Sequence, residues 1–254
     1  TSKEFLDLEN RYVFSRTWVF SGVAADVPNA GDIQPIQAAG NSLFMVHGAD
    51  KKIRVFQNVC SHRGTRLVVE PMCETAALTC PYHAWPYELS GELKGRPHYN
   101  GPDRHDKCDG GNELVCLFQV RSHLWHDWAF VNLDGQADSF EDYVVPVISR
   151  FSAYDLDSFR CAHHAVFKFA CNWKIAVENY CDSYHVFKVH PSLDQMHVAS
   201  QRFAMQPDGS HLFNWYPFDG LGRGLTVDAD GPVLPDLPGL AEGLYNQMVW
   251  VNLL

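Results

Sequence analysis

Two short motifs, Cys60-Ser61-His62 and Cys80-Pro81-Tyr82-His83, constrain this chain more than any other feature of its sequence. Each motif pairs one cysteine with one histidine, and seventeen residues separate the first histidine from the second cysteine. Thiolates and imidazoles are metal ligands, so the four side chains indicate one metal centre held between two loops. Gly64 and Pro81 suit tight turns, which predicts that both loops are compact.

A Rieske-type [2Fe–2S] cluster takes this ligand set, with two cysteines on one iron and two histidines on the other. The competing interpretation is structural zinc, which also binds two cysteines and two histidines. Zinc fingers usually group their cysteines as one pair and their histidines as another, whereas each motif here mixes the two residue types. The sequence therefore favours the cluster, with Ser61 and Tyr82 as candidate hydrogen-bond donors to its sulfurs.

A second candidate metal site lies in the sequence Asp182-x-x-His185-x4-His190. Two histidines and one carboxylate form the facial triad of non-haem Fe(II) oxygenases, which leaves positions open for O2 and substrate. His185 and His190 are five residues apart, so a helix over 172–190 would need a local distortion or a π-bulge to bring them together. Taken alone, the pair is more typical of a surface pair or of a partner for a helix C-terminus. The cluster motifs upstream favour iron.

The apolar pattern predicts an α+β chain whose strands come before most of its helices. Residues 1–20 have helical periodicity, and residues 30–133 contain short strands broken by turns. Helices are predicted for 140–151 and 172–190, a strand-like segment for 160–169 and a surface loop for 97–111. The individual strands predicted are 43–47, 53–57, 128–132, 211–216 and 248–254.

Composition narrows the classes of function. The net charge of −10 argues against a nucleic-acid partner, which would favour a basic surface. No apolar run reaches the roughly 18–20 residues that a membrane span needs. Residues 1–10 are charged and lack the apolar core of a signal peptide. Eight cysteines in 254 residues do not form a disulfide scaffold, so we expect a cytoplasmic location.

The two sets of motifs together resemble the α (oxygenase) subunit of the Rieske non-haem iron oxygenases, also called ring-hydroxylating oxygenases. The resemblance covers essentially the whole chain in domain order. The residues that carry it are Cys60-Ser61-His62-Arg63-Gly64, Cys80-Pro81-Tyr82-His83-Ala84-Trp85, Glu178-Asn179-Tyr180-Cys181-Asp182-Ser183-Tyr184-His185 and His190.

The resemblance implies an α+β fold of two domains. An all-β Rieske [2Fe–2S] domain is expected over 31–135 and a helix-grip (START/Bet v1-like) catalytic domain over 136–254. The helical segment 1–30 is expected to pack on the catalytic domain.

The resemblance also implies a role for each matching residue. Cluster ligands would be Cys60 and Cys80 on one iron and His62 and His83 on the other, and the catalytic iron would be held by His185 and His190. In the family, an acidic residue bridges a cluster histidine and an iron-ligand histidine across a subunit interface. Asp182 matches that residue, so we expect a ring, either a homotrimer or an α3β3 assembly.

The third iron ligand of the family is a carboxylate farther from the histidine pair than this sequence extends. We therefore expect a catalytic domain that is incomplete at its C-terminus, with the third ligand beyond Leu254. The acidic residues that follow His190 lie mostly in segments whose sequence is typical of turns: Asp194, Asp208, Asp219, Asp228, Asp230, Asp236 and Glu242.

The implied function is a terminal oxygenase that passes electrons through a Rieske cluster to mononuclear Fe(II), which activates O2 to hydroxylate a small organic substrate. NAD(P)H is expected only on a separate reductase, with or without a ferredoxin, because Gly220-x-Gly222-x-Gly224 is not a dinucleotide fingerprint. An aromatic substrate and aromatic hydrocarbon catabolism are favoured. The alternative is a monooxygenase or N-demethylase of choline- or betaine-type quaternary ammonium compounds.

Pocket-lining candidates lie beside the expected iron ligands: Asn179, Tyr180, Val186 and Phe187. Trp215 and Tyr216 could line a cavity or form a cation–π cage for a quaternary ammonium group. Two interpretations of another class stay open. One is a Rieske electron carrier without catalytic iron, for which residues 1–135 would suffice, and the other is a structural subunit that has lost its iron site.

Overall fold

The computed structural model describes residues 2–107, 115–161, 163, 165–182, 184–191, 204–208, 211–216 and 246–251. The chain forms two compact units, one of residues 2–138 and 157–162 and the other drawn from residues 139–156 and 163–254. Of the helices described, none has the length and apolar content needed to cross a membrane.

Strands outnumber helices in the described part of the chain. The helices are α1 (Lys3–Tyr12), α2 (Phe140–Phe151), α3 (Trp173–Cys181) and α4 (Val186–Val189), with single 3-10 turns at Phe14–Arg16, Ala24–Asp26 and Leu156–Ser158. The strands are β1 (Val19–Val23), β2 (Ile33–Ala38), β3 (Asn41–His47), β4 (Ile53–Gln57), β5 (Leu78–Thr79), β6 (Pro86–Tyr87), β7 (Gly95–Arg96), β8 (Asp106–Lys107), β9 (Gln119–Trp125), β10 (Trp128–Asn132), β11 (Ala204–Asp208), β12 (His211–Tyr216) and β13 (Asn246–Val251).

The first unit is built on a six-stranded antiparallel sheet in the order β1-β10-β9-β4-β3-β2. Successive side chains of a strand point to opposite faces, and β3 has apolar residues on both. Leu43 and Met45 enter one core, whereas Phe44 and Val46 enter the other. The second of these cores also contains the two cysteines of the paired motifs, so the sheet supports the candidate metal site directly.

The second unit contains α2 and the three-stranded antiparallel sheet β11-β12-β13. Helix α2 begins after Ser139, whose hydroxyl accepts the Asp142 N–H at 3.1 Å. The helix packs on β12. His211 is buried, with its Nε2 2.6 Å from the Tyr143 carbonyl, and the Arg150 guanidinium lies 4.2 Å from the Phe213 ring centre.

The N-terminal helix is shorter than the predicted 1–20. Helix α1 covers Lys3–Tyr12, and residues 19–23 form β1, which pairs with β10 in the main sheet. The prediction fails because the partner of Val19 is Val131, and local periodicity cannot reveal so distant a pairing. The packing of segment 1–30 on the catalytic domain stays a prediction.

Two predictions in the second half of the chain are also wrong. Residues 160–169 form no strand in their described part, which omits 162 and 164. The single helix predicted over 172–190 is two helices, α3 and α4, separated at Asp182. The break has a local cause that belongs to the candidate iron site.

The surface loop predicted over 97–111 is described as far as residue 107. A ribbon of β7 and β8 closes its base, reinforced by the Arg96–Asp106 ion pair. Residues 108–111 of the predicted loop lie outside the described residues.

Candidate metal centres

The first motif folds as a tight loop that begins at Cys60. The Gly64 N–H donates to the Cys60 carbonyl at 3.0 Å, and the Cys60 N–H donates to the Thr65 carbonyl at 2.8 Å. Buried Asn58 closes the base of the loop, because its side chain donates to the Val68 carbonyl at 2.6 Å and accepts the Val68 N–H at 2.8 Å.

The second motif repeats this backbone pattern between β5 and β6. The Ala84 N–H donates to the Cys80 carbonyl at 3.0 Å, and the Cys80 N–H donates to the Trp85 carbonyl at 2.9 Å. The fifth residue of each loop has a positive φ, +72° at Gly64 and +56° at Ala84. Glycine adopts this conformation without strain, whereas alanine does not.

Ala84→Gly is therefore expected to stabilise the first unit by up to about 1 kcal/mol, because relief of the left-handed strain outweighs the extra conformational entropy that glycine loses on folding. The measurement is the thermal midpoint, followed by the visible absorption that a cluster would give. Gly64→Ala is the matched control and should lower the midpoint, because the added Cβ meets only the Val59 side chain at 3.8 Å and the change is mainly one of backbone strain. A lower midpoint for Ala84→Gly would contradict this interpretation.

The two loops bring the four predicted cluster ligands together. Cys60 and Cys80 are each 2% exposed, and the His62 and His83 ring centres are 4.6 Å apart. Burial raises the pKa of the Cys60 thiol, and the adjacent Cys80 adds to this while a Tyr87 hydrogen bond opposes it. Burial, together with the nearby His83, lowers the pKa of His62, so its imidazole favours the neutral form that binds metal. Two adjacent buried sulfurs beside two imidazoles fit a [2Fe–2S] cluster with two ligands to each iron.

The Tyr87 hydroxyl is within hydrogen-bond distance of the Cys60 sulfur, and the sequence motifs do not reveal this contact. Its hydroxyl oxygen is 3.1 Å from Cys60 Sγ and 3.0 Å from Ser61 Oγ, and Ser61 donates to the Val115 carbonyl at 2.7 Å. The sequence favours Tyr82 instead, but that side chain is 58% exposed and its ring lies against His83. A metal-bound thiolate has no proton to give, so Tyr87 would be the donor to the ligand sulfur.

Tyr87→Phe is expected to lower the reduction potential of the cluster. The hydrogen bond stabilises the more negative reduced state, so its loss disfavours reduction. A bond worth about 1.4 kcal/mol to that state corresponds to about 60 mV for one electron. The measurement is an EPR-monitored redox titration, with Tyr82→Phe as the control that should leave the potential unchanged. An unchanged potential in Tyr87→Phe would contradict the assigned contact.

Asp182 ends α3 and arranges the residues that follow it. Its carboxylate accepts the Tyr184 N–H at 2.8 Å and contacts His185 Nδ1 at 3.0 Å. The hydrogen bond from His185 lowers the pKa of Asp182 below its usual range. The helix ends here because the Asp182 carboxylate accepts the Tyr184 N–H, which a continuous helix would donate to the carbonyl four residues earlier. With Nδ1 engaged by the carboxylate, Nε2 of His185 is left for a metal.

The helix break brings the two histidines together. His185 caps the start of α4 and His190 caps its end, which places their ring centres 5.3 Å apart. The two rings could supply two ligands to one iron. Within the described residues, no third His, Cys, Asp or Glu side chain joins this pair to form a three-ligand site for a single metal ion.

The other predicted site residues have varied placements. Val186 is buried, whereas Asn179, Tyr180 and Phe187 are exposed, and their role in a substrate pocket stays a prediction. Trp215 lies on β12 with Tyr216, but their side chains are outside what the structure describes. Of the acidic candidates for a third ligand, Asp208 lies on β11, and the following lie outside the described residues: Asp194, Asp219, Asp228, Asp230, Asp236 and Glu242.

Comparison with known families defines the class of protein. Residues 17–149 match the family described as the Rieske [2Fe-2S] domain. Residues 122–249 match the catalytic domain of the ring-hydroxylating alpha subunit. The chain therefore belongs to the Rieske ring-hydroxylating oxygenase alpha subunits, and the resemblance predicted from the motifs is confirmed. The predicted fold class is confirmed with it.

Individual relatives act on two kinds of substrate. The glycine betaine monooxygenase oxygenase subunit of Chromohalobacter salexigens is 32% identical over 186 residues, which are 73% of this chain and 40% of that protein. The 2-aminobenzenesulfonate 2,3-dioxygenase alpha subunit of Alcaligenes sp. is 30% identical over 206 residues, 78% of this chain and 48% of that protein. The chain thus spans about half the length of the curated relatives it matches.

A solved structure shows the same fold. A quaternary ammonium Rieske monooxygenase in complex with its substrate L-carnitine superposes with a TM-score of 0.72 at 24% identity. The match covers 85% of this chain and 60% of that one.

Proposed function

We propose that this protein is the oxygenase component of a Rieske system, which hydroxylates a small organic substrate with O2. The observation that carries the proposal is the presence of two separate ligand sets in one chain. One is the paired loops with Cys60 and Cys80, and the other is the Asp182–His185 contact followed by His190. An electron carrier would need only the first set.

Each ligand set has a defined task in this proposal. Cys60 and Cys80 hold one cluster iron, His62 and His83 hold the other, and His185 and His190 hold the catalytic iron. When bound, the cluster supplies single electrons and the mononuclear iron supplies O2 activation. Asp182 fixes the His185 ring through Nδ1 and so presents Nε2 in a fixed direction. We also propose Asp182 as the bridge toward a cluster histidine of a neighbouring subunit.

The substrate class that we favour is a quaternary ammonium compound of the betaine or carnitine type. Support comes from the betaine-oxidising relative and from the L-carnitine complex of similar fold. Monooxygenation would consume O2, two electrons and two protons, and would yield one water and one hydroxylated carbon. Hydroxylation next to the quaternary nitrogen gives a product that separates into an amine and an aldehyde.

Aromatic hydroxylation, which the sequence of the motif around His185 favours, is the second candidate. The 2-aminobenzenesulfonate dioxygenase subunit supports it at similar identity and coverage. A dioxygenase would place both atoms of O2 on the ring, with the same two electrons and two protons. The substrate pocket in either case is proposed to include Val186 and its neighbours Asn179, Tyr180 and Phe187.

The organisation and partners of the protein complete the proposal. The division at residues 31–135 and 136–254 is retained, and the part of segment 1–30 outside β1 is proposed to pack on the catalytic domain. Electrons would come from NAD(P)H through a separate reductase, with or without a ferredoxin. We propose a homotrimer or an α3β3 ring and a cytoplasmic location.

A single-turnover assay tests the proposal without the native reductase. The iron-loaded protein is reduced with dithionite, freed of excess reductant and mixed with O2 and one candidate substrate. Aldehyde and amine from glycine betaine or carnitine would support quaternary ammonium oxidation, whereas a hydroxylated ring from 2-aminobenzenesulfonate would support the aromatic alternative. A reduced protein that holds both metal centres and yields no product with either class would contradict the substrate assignment.

A further inference from the structure

Trp85 touches both loops that carry the candidate cluster ligands. Its indole lies parallel to the His62 imidazole, with ring centres 4.3 Å apart and planes 7° from parallel. Its carbonyl accepts the Cys80 N–H at 2.9 Å. One residue therefore contacts the histidine of the first loop and the cysteine of the second.

The surroundings of Trp85 keep this arrangement fixed. Trp85 is 5% exposed and belongs to the apolar core that also contains Cys60, Cys80 and Tyr87. The His83 and His62 rings pack edge to face, with their centres 4.6 Å apart. The His62 ring is thus held by a flat apolar surface and by a second imidazole.

The two candidate histidines differ in their support. His83 is contacted by the Tyr82 ring, which is 58% exposed, whereas His62 is stacked on a buried indole. Buried aromatic rings have few accessible orientations in a packed core, so the indole limits the directions that the imidazole can take. The first loop has no such aromatic residue of its own, since its sequence is Cys60-Ser61-His62-Arg63-Gly64.

We propose that Trp85 is a positioning residue for the cluster: its indole orients His62 and joins the first ligand loop to the second, while its carbonyl closes the second loop by accepting the Cys80 N–H. The inference rests on the proposed cluster and adds a role for a residue that binds no metal. Loss of the ring should leave all four ligands present but loosen the His62 side of the site. We expect the cluster still to assemble in such a variant. It should lose iron more easily, and its EPR g-values should differ from those of the parent protein.

The test compares cluster retention in the purified, cluster-loaded protein and its variants. Trp85→Leu removes the ring, Trp85→Met fills the same space with a flexible chain, and Trp85→Phe restores a ring. Phe130→Leu is the control for general core loss, because Phe130 is 2% exposed and contacts Phe20 on the main sheet. The readouts are the rate of iron transfer to a bathophenanthroline chelator and the EPR g-values of the reduced protein.

Trp85→Leu and Trp85→Met are expected to lose iron about tenfold faster than the parent protein, the size of one lost aromatic pair. Trp85→Phe and Phe130→Leu should stay near the parent rate and g-values. Should Trp85→Leu fail to fold, Trp85→Met decides alone. Parent-like rates and g-values in the ring-less variants, or equal acceleration in Phe130→Leu, would overturn the inference. A parent protein without acid-labile sulfide would instead overturn the proposed cluster itself.

Discussion

Replacing His185 by alanine is expected to abolish substrate oxidation while leaving the iron–sulfur cluster in place. His185 and His190 are the proposed iron ligands, and their ring centres lie 5.3 Å apart, so removal of one would leave the iron with an inadequate ligand set. Turnover should fall by more than about a hundredfold, beyond the usual effect of losing a residue that only orients a ligand. The iron content should fall by about one per chain with unchanged sulfide.

The control for this variant is His163→Ala, an exposed histidine of the same unit that has no proposed metal role. Its turnover and iron content should match those of the parent protein. Parent-level turnover in His185→Ala would show that the catalytic iron is held elsewhere.

Replacing Asp182 by alanine is expected to separate metal binding from turnover. The carboxylate contacts His185 Nδ1 at 3.0 Å and is not itself a proposed iron ligand. Its loss frees the imidazole to rotate and removes the proposed bridge between the centres. Turnover should therefore fall about 10- to 100-fold at saturating Fe(II), while iron and sulfide per chain stay unchanged.

The chain offers a closely matched control for Asp182→Ala. Asp157 contacts His126 Nδ1 at 2.6 Å and forms a second exposed Asp–His pair that includes no proposed metal ligand. Asp157→Ala should leave turnover unchanged. Stopped-flow oxidation of the reduced cluster would show where Asp182→Ala acts, because a lost bridge slows electron transfer to the catalytic iron. Normal turnover in Asp182→Ala would eliminate both the positioning and the bridging role.

Local signals predicted several elements correctly. Helix α2 has the predicted bounds because Ser139 caps it and because acidic residues occupy its first turn. Strand β3 is recognisable because residues 43–46 are a continuous apolar run, which matches burial on both faces of the sheet. The paired Cys/His motifs also predicted that four distant ligands would meet, and the structure brings them together.

Other elements depend on contacts that are remote in sequence or on side-chain capture of the backbone. Strand β1 begins at Val19, which pairs with the distant Val131. The helix predicted from periodicity therefore extends too far, through residues 13–20. The helix predicted over 172–190 ends at Asp182 because the carboxylate accepts the backbone Tyr184 N–H; the same side chain also contacts the His185 ring. An acidic residue before a histidine pair is a weak signal for such a break.

In the cluster site, too, local sequence predicts some residues, whereas others depend on contacts that the sequence does not reveal. The four proposed ligands follow from motif spacing, but Tyr87 lies four residues past His83 and is placed by the short β5–β6 pairing. Exposed Tyr82 stands inside the motif and is the more obvious candidate from sequence. The signal that could have identified Tyr87 is its place in the apolar segment Trp85-Pro86-Tyr87 directly after the second motif, since both aromatic residues are buried.

The most direct test of the two-centre proposal is the iron and acid-labile sulfide content of anaerobically purified protein, with zinc measured on the same sample. A Rieske cluster with one mononuclear iron predicts about three irons to two sulfides per chain. About two irons to two sulfides, unchanged after Fe(II) is added, would contradict the oxygenase assignment and favour an electron carrier or an inactive subunit. Zinc without sulfide would contradict the cluster as well.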